Sequence, residues 1–258
     1  MKKEKTIWII PLFAMSLIFM FLMTNSCAKD NNTEEDKNPI PDSIIVFNPD
    51  LTYDTVTDID GNAYKTIIIG KQTWMAENLK VTKYNDGADI PLVTDDGEWN
   101  SLTTPGYCWY FNDEEHYRNT YGALYNWYAV NTGKLCPNGW HVSSDTDMVI
   151  LIDFLGGRDV AGGKLKETGT THWNSPNTGA TNETGFTALP GGVANEGGYD
   201  ISYLNSNGFW WTSTEFNSNQ VFGWRLDYND VGAYNYGASN YGGDSHKFYG
   251  RSIRCIRN

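Results

Sequence analysis

The chain has 258 residues, 31 Asp and Glu against 19 Lys and Arg, and a net charge of −12 at pH 7. Such an acidic body argues against a nucleic-acid partner and against docking on anionic lipid through basic patches. Aromatic residues make up 14 % of the chain and charged residues 19 %, so a substantial hydrophobic core is affordable in one domain.

The first feature in chain order is a basic start (Lys2, Lys3, Lys5) followed by an apolar run from Ile7 to Met23 and the short stretch Thr24-Asn25-Ser26 before Cys27. That order reads as a lipoprotein export signal, residues 1–26, with Cys27 as the acylated first residue of the mature protein. An uncleaved anchor is the rival reading. The apolar run is at the short end for spanning a bilayer, and Pro11 interrupts it. The expected partner is therefore a membrane, reached through lipid, and the expected location is the outer membrane and cell surface. Residues 27–43 are polar, acidic and Pro-containing, which predicts a flexible linker.

The folded body is expected over residues 44–258. Ile44 to Phe47 reads as a first strand. Residues 58–70 read as a hairpin around Asp60-Gly61, followed by a β-branched run. Asp58, Asp60 and Asn62 mimic the start of an EF-hand loop. Ala63 and Ile69 stand where that loop needs Gly and Glu, so turn chemistry is the better account. Residues 71–84 continue as strand and loop around Trp74 and Leu79.

Tyr121, Leu124, Tyr125 and Tyr128 recur at helical spacing and predict a helix over 119–133. Ser144 and Asp147 make a capping box for a second helix with the stripe Met148, Leu151, Ile152 and Leu155, ended by Gly156-Gly157. Beyond Gly185 the pattern is short strands and long Gly/Asn/Tyr loops.

In an oxidising compartment two of the three remaining cysteines are expected to pair. The preferred pair is Cys136 with Cys255, with Cys108 a buried free thiol. Both members of the pair reduced is the alternative.

Six blocks follow in order: 58–80, 121–128, 136–142 (CPNGWHV), 185–192, 210–215 (WWTSTE) and 250–257 (GRSIRCIR). Together they resemble the Fibrobacter succinogenes major paralogous domain of bacterial surface lipoproteins. The resemblance implies a relation to the C-type-lectin-like fold: α+β, with two helices flanking short antiparallel sheets and long loops. It implies no established enzymatic activity.

Catalytic motifs are not evident: there is no His-Glu-x-x-His, Cys-x-x-Cys or Gly-x-Ser-x-Gly. In 157–165 (GRDVAGGKL) Arg158 and Leu165 break a phosphate loop. His116, His141, His172 and His246 lack metal spacing and read as surface or core-edge residues. Ser175-Pro176-Asn177 lacks the carboxylate of a calcium-dependent sugar site. No cofactor is expected.

Asn, Tyr, Ser and Gly make up more than half of 217–250, a composition like that of antibody contact loops. Tyr228, Tyr234, Tyr236 and Tyr241 are candidate contact residues for a glycan or a protein. Trp210 and Trp211 join them, because strand alternation sends one ring inward and the other outward. The expected function is a displayed, non-catalytic binding module. A structural subunit of an adhesin- or fimbria-like assembly is the alternative, and an enzyme of the formylglycine-generating type the third.

Overall fold

The computed structural model describes residues 44–195, 201–218, 220–236 and 246–258, all within one unit, Asn38–Asn258. Cys27, the linker and Tyr241 lie outside the described residues.

Ile44 to Phe47 does not form the expected strand. The segment crosses the body as irregular chain, with the Val46 N–H donating to Glu167 Oε1 at 2.6 Å, so its backbone is met by a side chain rather than a strand partner. The hairpin follows as expected: β1 (Asp54–Thr57) pairs with β2 (Ala63–Ile69), and β3 (Gln72–Met75) pairs back on β2. Asp58 makes the turn. Its Oδ1 accepts from the N–H groups of Asp60 (3.0 Å) and Asn62 (2.9 Å), and its Oδ2 accepts from the Tyr64 hydroxyl at 2.6 Å. The carboxylate is thus consumed by turn chemistry.

Next come α1 (Asp96–Asn100), β4 (Tyr107–Cys108), α2 (Glu114–Tyr121), β5 (Leu124–Tyr125) and α3 (Trp127–Val130). The single helix expected over 119–133 is therefore three elements. Gly122 breaks it at φ +76°, pressed so close to Leu79 that a Cβ there would lie 2.6 Å from the Leu79 carbonyl oxygen. Leu124 and Tyr125 then pair with Cys108 and Tyr107, and Asn126 caps α3 by accepting from the Ala129 N–H. Tyr121, Leu124 and Tyr125 are all buried, but by neighbours on every side rather than on one helical face.

Beyond β6 (Trp140–Val142), α4 (Asp145–Phe154) has the expected capping box. The Asp147 N–H donates to Ser144 Oγ at 3.1 Å and the Ser144 N–H to Asp147 Oδ2 at 2.8 Å. Met148, Leu151, Ile152 and Leu155 are buried with Ile67, Ile69 and Trp74. The stretch that mimicked a phosphate loop is α5 (Arg158–Leu165). Its Gly162 and Gly163 let the helix touch neighbouring backbone: a Cβ on either would fall within 2.5 Å of a carbonyl oxygen, of Gly232 or of Gly179.

The remaining strands are β7 (Val193–Ala194), β8 (Ile201–Ser202), β9 (Asn207–Glu215), β10 (Val221–Asp227), β11 (Ala233–Tyr236) and β12 (Cys255–Arg257). The described residues form a five-stranded sheet in the order β1-β2-β3-β12-β6, a three-stranded sheet β11-β10-β9 and two strand pairs, β4-β5 and β7-β8. All these pairings are antiparallel. The fold is mixed α+β with several short antiparallel sheets and few helices. Cys136 and Cys255 are joined in a disulfide across a separation of 119 residues, and Cys108 is free and buried.

Candidate functional site

The residues that carry the family resemblance meet in the interior. Asn78 Oδ1 accepts from Trp210 Nε1 at 3.0 Å and from Arg254 Nε at 2.8 Å. Its Nδ2 donates to the Tyr121 carbonyl and to Ser252 Oγ. Arg254 also donates to the carbonyls of Met75 (3.0 Å), Phe186 (2.6 Å) and Thr187 (2.9 Å). Five of the six sequence blocks thus share one buried polar network. The sixth, 136–142, enters through the disulfide and through the β6–β12 pairing. Burial pushes the Arg254 guanidinium down to about 9, and its carbonyl partners offset much of the cost of an interior charge.

This network decides the tryptophan pair. Trp210 and Trp211 do point to opposite faces of β9, as alternation requires, but both faces are covered and the rings are 3 % and 0 % exposed. Trp210 packs with Phe186 and Trp224. Trp211 lies under Arg251, whose guanidinium carbon is 4.1 Å from its ring centre and 4.2 Å from that of Tyr236. The expectation of an outward tryptophan is therefore corrected. Tyr236 is buried as well, and its hydroxyl donates to the Trp210 carbonyl at 3.1 Å.

Tyr228 and Tyr234 are half-buried. Tyr228 packs against the core and serves the scaffold, its N–H donating to the Ser206 carbonyl and its carbonyl accepting from the Thr178 N–H. Tyr234 stands on the other face of the sheet. In register across it lie Arg225 and Phe209, and Tyr203, 60 % exposed, leans on Phe209 with ring centres 6.0 Å apart. The Arg225 guanidinium carbon is 5.6 Å from the Tyr234 ring centre, and Arg225 Nε is 2.9 Å from Asp227 Oδ1. The Tyr234 hydroxyl donates to Asp230 Oδ2 at 2.8 Å.

Burial, together with the Asp230 carboxylate, pushes Tyr234 up to about 12, so it stays a neutral donor. The Gly232 N–H holds Asp230 below the usual carboxylate range.

Where the outer strand β11 meets α5, these groups open a cleft of about 220 Å³ lined by Arg158, Arg225, Asp227, Asp230, Tyr234 and Asn235, with Tyr236 at its base. Of the residues singled out in the sequence, only Tyr234 and Tyr236 reach it. Arg158, Arg225, Asp227, Asp230 and Asn235 were missed. Arg225, Asp227 and Asp230 had one local signal, charges inside an Asn/Tyr-rich stretch, and Arg158, on α5, had none.

Lys166 fixes the turn beneath the cleft. It is fully buried, and its Nζ donates to the carbonyls of Thr178 (3.0 Å), Asp227 (2.9 Å) and Asp230 (2.8 Å). Burial lowers this ammonium to about 8, against the pull of Asp227 and Asp230.

His172 corrects a further expectation. It is buried rather than at the core edge, with Nδ1 2.6 Å from Glu167 Oε2, and both side chains are wholly out of solvent. Among the described residues no three His, Cys, Asp or Glu side chains gather as metal ligands, and no helix is long and apolar enough to cross a membrane. Burial raises the Cys108 thiol far above its ordinary range, which suppresses the thiolate.

The profile of the Fibrobacter succinogenes major domain matches residues 67–257, and the chain belongs to that family. No curated protein and no solved structure matches it.

Proposed function

We propose that this member of the Fibrobacter succinogenes major domain family is a lipid-anchored, non-catalytic binding module. In this reading Cys27 carries the lipid, residues 27–43 are the spacer, and a C-type-lectin-like body is displayed at the outer membrane surface. The cleft at Tyr234 recognises a glycan, or a protein presenting similar groups.

The observation that carries the reading is the cleft itself. A half-exposed aromatic strip (Tyr203, Phe209, Tyr234) adjoins Arg225, Asp227, Asp230 and Asn235, which combines apolar ring faces with planar hydrogen-bonding groups. Hydrogen bonds hold Asp227, Asp230, Tyr234 and Asn235, and an ion pair holds Arg225, so binding orders little in these groups. The buried, raised Cys108 thiol argues against the cysteine chemistry of the formylglycine-generating type. The test is a glycan array probed with the full chain in detergent: retained glycan that is lost in Tyr234→Ala supports the reading.

A second reading, as a structural subunit of a surface assembly, has one observation in its favour. α4 leaves Val149, Ile150 and Phe154 exposed on its outer side. Envelope proteins that co-purify with the chain and are released by Phe154→Ser would favour it.

A further inference from the structure

Among the described residues, Arg158 is a cation of the cleft that no carboxylate neutralises at close range. Arg225 is engaged by Asp227, which also accepts from the Asn207 amide. Asp230 accepts from the Gly232 N–H at 2.7 Å and from the Tyr234 hydroxyl. Asp145, behind the cleft, accepts from Trp224 Nε1 at 3.0 Å and from the Asn235 amide. Arg158 feels the charge of Asp145 but forms no ion pair among the described residues. Its guanidinium carbon stands 5.8 Å from the Trp224 ring centre, which orients the fork while leaving its donors open.

Asn235 supplies the second observation. Its Nδ2 is committed to a carboxylate, which can only accept, so the amide orientation is fixed. That leaves Oδ1 buried, with no partner among the described residues. A buried acceptor without a donor is unfavourable, and a ligand hydroxyl would satisfy it. The vacant capacities are therefore a bidentate cation and a hydroxyl acceptor, both in the cleft that Tyr234 also lines.

We propose that the cleft takes a carboxylated sugar, a uronic-acid residue of an acidic glycan, with its carboxylate on Arg158 and a ring hydroxyl on Asn235 Oδ1. This rests on the glycan reading above and deepens it. Acidic carbohydrate is an unexpected ligand for a chain of net charge −12. The inference is that one local guanidinium outweighs a long-range repulsion that salt screens.

The test is calorimetric titration of the full chain in detergent with three probes: oligogalacturonate, the same oligomer as its methyl ester, and a glutamate-rich peptide. The expected result is oligogalacturonate binding, with affinity about tenfold weaker for the methyl ester and about tenfold weaker in Arg158→Gln, the latter with an unchanged unfolding midpoint. Equal or tighter binding of the neutral ester overturns the proposal while leaving the glycan reading intact. Equal binding of the peptide overturns the sugar assignment. Binding of none of these, together with no hit on a broad glycan array, removes both.

Discussion

Arg254 and Asn78, 176 positions apart, meet in the core through a 2.8 Å hydrogen bond from the guanidinium Nε to the amide oxygen. Around this contact the sequence blocks that identify the family close on one another. Those blocks are scaffold. The groups free to meet a ligand lie outside them, on the edge strand β11, its neighbour β10 and the start of α5.

Asn78→Ala is expected to be severely destabilising. It strands the Trp210 indole N–H, one Arg254 donor and the Tyr121 carbonyl in the interior. At about 1–3 kcal/mol for each buried group left unpaired, a loss of about 3 kcal/mol or more is expected. Urea unfolding followed by tryptophan fluorescence measures it. A loss below about 1 kcal/mol would show that the network is not structural.

Trp211→Ala separates core from contact surface. With the ring fully buried under Arg251, a cost of about 3–5 kcal/mol is expected, and it also exposes the Arg251 aromatic stack. Arg158→Gln, at an exposed position, should stay within about 0.5 kcal/mol of the wild type by the same unfolding measurement.

The disulfide between Cys136 and Cys255 was legible from the expected compartment and from position, but the wiring around it was not. Strong local signals held: the Asp60-Gly61 turn, and the capping box of α4. The helix expected over 119–133 failed because a chain buried on every side also places large residues at helical spacing. Only the contact of Gly122 with Leu79, distant in sequence, tells the two apart. Alternation read the directions of Trp210 and Trp211 correctly. It carried no information on whether a second layer covers each face. The cleft was half-legible for the same reason: Tyr234 announced itself by composition, whereas Arg158 reaches it from another element.

Removing the disulfide should cost about 4 to 5 kcal/mol on the chain-entropy account, given its 119-residue separation. The double variant Cys136→Ser, Cys255→Ser compared with wild type by denaturant unfolding checks this. In the native protein Cys108 should resist iodoacetamide, since burial raises its thiol, and should react once the chain unfolds.

The acid limb of stability should depend on Asp147. Burial raises this carboxyl, but hydrogen bonds from the Ser144 hydroxyl and backbone N–H, joined by His141, outweigh it and leave it below the usual range. A carboxyl depressed in the folded state contributes stability above its unfolded value, about 4, and loses that contribution as pH falls through the folded value. Asp147→Asn should therefore cost about 1 kcal/mol at pH 7 and little at pH 2, as read by urea midpoints at the two pH values. An equal cost at both would contradict the capping role.

Lipidation is tested apart from the fold. Radiolabelled palmitate should enter the wild type and not Cys27→Ser, which should also leave the membrane fraction. Equal labelling of the two would remove the anchor.

The central claim is recognition at the Tyr234 face without chemistry. The most direct measurement is the full chain, wild type and Tyr234→Ala, on immobilised glycans, with the bound glycan eluted and weighed by mass spectrometry. The account predicts retention by the wild type, loss in a variant that still unfolds cooperatively, and a glycan of unaltered mass. Undiminished retention by Tyr234→Ala, or a glycan eluted cleaved or modified, would contradict it.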